Sequence, residues 1–166
     1  MVRIRPERPS DADAVARLLE GCFPTDAEAR LVAALRRSGQ LVVALVAEND
    51  GAIVGHIAFS PVTAAGARAG VGLAPVAVEA AHRRRGLGAA LIERGLERCR
   101  AAGAGWCVVL GDPAYYARYG FRPAREDGLA DAYNGGDAFQ VLALVSGAVP
   151  RGAGLVRYSD AFDDLG

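Results

Sequence analysis

The chain has 166 residues, 52% apolar and 23% charged, which fits one soluble domain of about 100–200 residues and leaves no room for two full ones. Its 19 basic and 19 acidic side chains cancel, so the strongly basic footprint of a duplex-nucleic-acid binder or of a protein held on an anionic membrane is excluded. Every basic residue is Arg; without Lys, neither a lysine Schiff base nor a Walker-type phosphate loop is available.

In chain order, Val2 to Arg5 alternates like a short strand, and Ser10 with Asp13 reads as a capping box opening a helix with Val15, Leu18, Leu19 and Cys22 on one face. That helix ends near Phe23-Pro24. A second box, Thr25 with Glu28, opens a helix carrying Leu31 and Leu35, which Gly39 stops. Leu41 to Ala47 and Ala52 to Val62 read as antiparallel strands joined by Asn49-Asp50-Gly51, a sequence suited to the positive φ of tight turns. Thr63 to Gly70 reads as a surface connection before a strand at Leu73 to Val78.

Helical spacing takes over from Gly86 to Ala102, with Ile92, Leu96 and Cys99 on one face, and Gly103 ends it. Trp106 to Leu110 is a short apolar run that reads as a buried strand with a parallel neighbour, in a βαβ unit. Asp112-Pro113 caps a brief helix closed by Gly120, and Ala138 to Val145 supplies a last strand. The Gly-rich, acidic tail from Pro150 carries no readable pattern.

Neither apolar run, 41–47 nor 70–78, approaches the roughly 18–20 residues that cross a bilayer, and the start of the chain has no apolar signal region, so a cytoplasmic protein with no membrane contact is expected. Cys22, Cys99 and Cys107 are odd in number and form no C-x-x-C pair; they are expected to be buried thiols, with no disulfide and no metal.

The chemistry concentrates where the strand Leu73 to Val78 runs through Glu79 and His82 into Arg83-Arg84-Arg85-Gly86-Leu87-Gly88-Ala89 at a helix start. Unpaired N–H groups and the helix dipole favour an anion there, glycines let a phosphate approach the backbone, and guanidinium groups match phosphate oxygens. By themselves these residues fit either an anion site or a solvated basic turn. A dinucleotide fold fits poorly: position 91 is Leu where a third small residue is needed, and Val109-Leu110 end the next strand without an acid.

Arg83-x-x-Gly86-x-Gly88 after a Leu-x-x-Val-x-Val strand resembles the acetyl-coenzyme A loop of the GCN5-related N-acetyltransferase (GNAT) family. Tyr116-Ala117-Arg118-Tyr119-Gly120-Phe121 is similar to the Y-x-x-x-G-F ending after that family's fifth strand, and the order of elements agrees from Val2 through Val145. The phrases Val109 to Tyr116 and Gly120 to Ala124 look like the family's YhbS-like bacterial subgroup.

The resemblance implies a mixed α/β fold with a central twisted sheet flanked by helices, the whole of 1–166 forming one domain. It implies an enzyme that moves the acetyl group of acetyl-coenzyme A to a primary amine without a metal. Arg83, Arg84, Arg85, Gly86, Leu87, Gly88 and Ala89 would then face the pyrophosphate. The edge at Val76, Ala77 and Val78 would hydrogen-bond the pantetheine arm like an added strand, with the thioester between splayed fourth and fifth strands. Tyr116 would protonate the departing thiolate, since a phenol near pKa 10 keeps its proton at neutral pH; as alternatives, Tyr115 is the acid, or Tyr116 only packs among Tyr115 and Tyr119. The Val78 N–H is the family-based donor to the tetrahedral oxyanion.

Two departures stand out. Where many members carry an Asn seven residues before the tyrosine, this chain has Val109, and where some carry a Glu early in the fourth strand it has Gly72 and Leu73. A general base is therefore not identified: Glu79 reads as a turn carboxylate, Asp112 as a helix cap, and His56 as a structural histidine. The acceptor, an amine-bearing small molecule or peptide, would meet the first two helices, the loop around Phe23-Pro24, and Glu126 to Asp137. There Glu20, Asp26, Glu126, Asp127, Asp131 and Asp137 either attract a cationic amine or are merely solvated. A homodimer is compatible with the sequence; nucleic acid is not an expected partner. The competing expectation is a coenzyme-binding sensor or interaction module without turnover.

Overall fold

A computed structural model describes residues 1–165, and Gly166 lies outside the described residues. The elements are β1 (Val2–Pro6), α1 (Ala12–Cys22), α2 (Ala27–Arg37), β2 (Val43–Asn49), β3 (Ala52–Ala64), β4 (Ala67–Val78), α3 (Leu87–Ala101), β5 (Trp106–Leu110), α4 (Pro113–Tyr116), β6 (Arg122–Pro123), β7 (Leu129–Ala130), β8 (Phe139–Ala143) and β9 (Gly154–Arg157). The fold is mixed α/β: one twisted sheet in the order β1-β2-β3-β4-β5-β8-β6, with β9 paired to β3 and β7. The pairs along this path are antiparallel except β4 with β5, which is parallel, as the helix between them requires.

Period-two alternation sorts the sheet's side chains onto two faces. Ile57, Phe59, Val71, Leu73, Cys107 and Val109 face α3, where they meet Leu91, Ile92, Leu96 and Cys99. Val46, Ala58 and Ala77 turn to the opposite face under α1 and α2, against Val15, Leu19 and Val32. Gly95 of α3 lets the Phe59 ring reach the helix backbone; any Cβ there would collide with it.

Several sequence expectations shift. Thr63 to Gly70 is no surface connection: β3 and β4 form one long hairpin turning at Ala65-Gly66, both at positive φ. The Ser10/Asp13 box does not form, because a 3-10 turn at Pro9–Asp11 delays the helix start to Ala12; there Asp11 accepts from the Arg8 amide at 2.7 Å and is clamped by Arg5 at 2.8 Å. Thr25 accepts from the Ala27 amide at 3.2 Å, but Glu28 does not bond back to complete the second box. The unreadable tail forms β9 and a 3-10 turn at Asp160–Leu165, whose Phe162 packs on Leu31 and Leu35 of α2. Cys99 and Cys107 are buried thiols, whereas Cys22 is only half-buried.

His56 is fully buried on β3, its Nε2 3.0 Å from Glu7, which also holds Arg36 at 2.9 Å. Burial alone would raise the Glu7 pKa, but the His56 hydrogen bond and Arg36 hold it below the usual carboxylate range. This buried group links the end of β1 to the sheet and α2, which is the structural role expected of His56.

Candidate active site

The parallel β4–β5 ladder is short: its pairs run only from Gly70 with Trp106, through Val71 with Cys107, to Gly72 with Val108. From Leu73 to Val78, β4 has no strand partner on that side among the described residues, so the two strands splay. A register shift in the β3–β4 pairing between Ile57 and Phe59, opposite Ala74-Pro75, accompanies the divergence. Cys107 sits in the fork, its thiol beside the Leu73 amide and pushed well up in pKa by burial.

Beyond the fork, the backbone of β4 alternates between its two neighbours. The Glu79 amide bonds to Val54 of β3, so the polar groups of Val78 and Val76 point the other way, toward the open edge. Consistent with this, the Val78 carbonyl accepts from Arg83 Nε at 2.8 Å and from the Cys22 thiol at 3.5 Å. By the same alternation Ala77 turns its amide and carbonyl toward His56 on β3 and offers none to that edge.

The Arg83 bond fastens the loop to the strand end, and the backbone then turns through positive φ at Arg84 (64°) and Gly86 (76°) into α3. This turn opens on a cavity of about 260 Å³ walled by Val78, Arg83, Arg84, Gly88, Tyr115 and Arg118. Arg85 faces elsewhere, into a separate cavity with His82 and Arg94, so the three consecutive arginines divide between two sides. The sequence reading missed Tyr115 and Arg118 as cavity walls: the Arg118 guanidinium lies 4.5 Å from the Tyr115 ring centre, and the Tyr119 hydroxyl donates to the Tyr115 hydroxyl at 2.8 Å. Helical i, i+3 spacing from the cap at Asp112 was the signal that placed Tyr115 and Arg118 together.

Tyr116 points inward instead. Its ring meets Phe121 edge-on at 5.7 Å and Tyr115 at 5.1 Å, and lies so close to Gly111 that no Cβ fits there. Burial, with smaller contributions from Tyr115 and Cys107, pushes its pKa up to about 12. Tyr116 shares one buried cluster with Cys107, Leu73 and Val71 at the β4–β5 fork. Asp112 caps α4 by accepting from the Ala114 amide at 3.0 Å, as its position before Pro113 suggests. Val109 is buried, and Gln140 beside it on β8 spends its amide on the Gly111 carbonyl at 3.2 Å. Glu79 is half-exposed, 3.6 Å from His82, and lines a different cavity of about 500 Å³ between α1 and the β2–β3 turn.

On the other face of the fork, the tail carries Tyr158 across Gly72, where a Cβ would come within 2.7 Å of its ring, and Tyr133 meets Tyr158 edge-on at 5.8 Å. Most of the acids expected near an acceptor are committed. Asp131 accepts from the Gly135 amide at 3.1 Å, Asp127 holds Arg122 and Arg151, Asp137 holds Arg125, and Asp26 holds Arg30. Among the described residues no group of three His, Cys, Asp or Glu side chains gathers that could hold a metal ion, and no helix is long and apolar enough to cross a membrane.

Comparison with known proteins agrees with this geometry. Residues 3–124 match the model of an acetyltransferase (GNAT) domain. The chain is 42% identical over 163 residues to the N-acetyltransferase YhbS of Escherichia coli K12, covering 96% of this chain and 98% of that one. The crystal structure of E. coli YhbS in complex with coenzyme A superposes with a TM-score of 0.94 at 41% identity, covering 99% of this chain and 93% of the other. A GNAT acetyltransferase from Brucella melitensis in complex with acetyl-coenzyme A does so with a TM-score of 0.82 at 41% identity over 98% and 99%. The family model spans most of the chain and the relative covers nearly all of it, so the chain belongs to the GNAT family of N-acetyltransferases.

Proposed function

We propose that the chain, acting as one domain, transfers the acetyl group of acetyl-coenzyme A to a primary amine of a small molecule or peptide. The observation that carries this reading is the open edge of β4 at Val76 and Val78, ending directly in the arginine–glycine turn at a helix N-terminus. An extended pantetheine arm pairs with such an edge as an added strand would, and the pyrophosphate meets the α3 amides from Gly86 to Ala89 with Arg83, Arg84 and Arg118 around it. Two relatives, each 41% identical, are seen with coenzyme A or acetyl-coenzyme A, which supports the donor.

The arm so placed brings the thioester to the fork. The Val78 N–H, directed at the open side, meets the oxygen that becomes negative when a neutral amine attacks the carbonyl carbon. As the C–S bond breaks, Tyr116 protonates the thiolate; a phenol whose burial disfavours its anion holds that proton until charge develops on sulfur. The enzyme works in the cytoplasm, where acetyl-coenzyme A is made and used. The test is thiol release from acetyl-coenzyme A across a panel of amines, polyamines, amino acids and peptide amino termini. At least one class is expected to be acetylated well above the uncatalysed rate, and coenzyme binding without acceleration of any amine defeats the transferase reading.

A further inference from the structure

The inward face of α2 is made by Leu31, Val32 and Leu35. Glu28 precedes Leu31 by three residues and Val32 by four, so it lies on that same face, one turn nearer the start of the helix. A carboxylate in such a position is costly unless something pairs with it. Yet its Oε1 is buried with no hydrogen-bond partner, and it is the one acidic oxygen among the described residues in that condition.

Its surroundings follow from its neighbours. Leu31 and Leu35 form a cluster with Phe162 against which Ala74 and Tyr158 pack, while Val32 shares a cluster with Ala77. Glu28 therefore belongs over the Ala74–Ala77 stretch of β4, on the face opposite α3 and along the part of the strand that β5 leaves open. Asp26, Asp127, Asp131 and Asp137 are spent on arginines or backbone amides, whereas the buried Glu28 Oε1 has no partner.

We propose that Glu28 is the acceptor-side catalytic residue: it binds the incoming ammonium group and takes its proton. This rests on the transferase reading. An acceptor R–NH3⁺ gives one proton to the Glu28 carboxylate, and the freed lone pair forms the C–N bond to the thioester carbon. The C–S bond breaks, the thiolate takes the Tyr116 proton, and the second proton on nitrogen returns to the tyrosinate through solvent. Glu28 then releases its proton to water, so the products are amide, thiol and one proton.

Two measurements test this. In protein saturated with coenzyme A and labelled with ¹³C at the glutamate carboxyl carbons, the resonance that Glu28→Gln removes is expected to shift saturably with n-butylamine and not with n-butanol. A resonance that stays still, or that responds equally to both, overturns the assignment. In turnover, Glu28→Gln is expected to lower kcat/KM by about 100-fold or more for every amine that the wild type accelerates, with coenzyme A affinity within about twofold and an unchanged melting temperature. Activity within about twofold of wild type overturns the proposal. If the wild type accelerates no amine, the transferase reading falls while the resonance experiment still decides the role of Glu28.

Discussion

The two sides of β4 are built in contrasting ways. On the coenzyme side, the strand end, the turn and the helix start are one continuous run from Val76 to Ala89, tied by the Arg83 bond to the Val78 carbonyl. On the side where we propose that the acceptor enters, α2, Ala74 of β4, the segment around Tyr133 and the tail around Tyr158 are brought together only by packing. A donor shared by a whole family needs a fixed cradle, which a contiguous segment provides. An acceptor side assembled from separate segments can change one wall without disturbing the cradle.

The largest effect expected from this division is on chemistry without binding. Tyr116→Phe should cut acetyl transfer by about 100-fold or more while calorimetry shows coenzyme A binding within about twofold; unaltered turnover would break the assignment of Tyr116 to the fork. Removing a guanidinium from the cradle should do the reverse. Arg83→Ala is expected to weaken coenzyme A by about tenfold, through the lost phosphate contact and the freed loop, and Arg85→Ala, whose side chain faces another cavity, should leave that affinity unchanged.

Gly72→Ala sharpens the comparison from the acceptor side. A Cβ 2.7 Å from the Tyr158 ring and 3.2 Å from Val62 must push the tail outward, at a cost of about 1–3 kcal/mol read as a lower melting temperature. The KM for the amine should rise while coenzyme binding is spared. The smallest effect concerns acid stability. The carboxyl of Asp11 is held at about 2, below the ordinary aspartate value of 3.8, chiefly by the Arg5 hydrogen bond against opposing burial. A carboxyl with a depressed folded pKa stabilises the fold above the unfolded value and loses that contribution as pH falls from about 4 to about 2. Urea melts should show a decline in that window which Asp11→Asn abolishes.

The elements of the proposed coenzyme side were legible because their signals are local: a strand pattern, glycines at a turn and a tyrosine at fixed spacing from a capped helix. The division of the arginines was not, since Arg85 leaves the cavity only when the turn takes positive φ at Arg84 and Gly86. Nor was the silent status of Ala77, which depends on the phase of the β3–β4 ladder rather than on residue type.

Glu28 shows the same limit at a single residue. Its spacing from Thr25 fits a capping box, yet in the fold Oε1 is buried with no partner while Thr25 accepts from the Ala27 amide instead. The sequence by itself determined the alternation of strands and helices, the parallel pair around α3 and the anion-seeking turn, because these depend on contacts within a few residues. Only the tertiary structure decided that the Gly-rich tail becomes β9 and lays Tyr158 on Gly72, and that most loop acids are already paired. Those outcomes depend on which distant surfaces meet, and no local propensity encodes that.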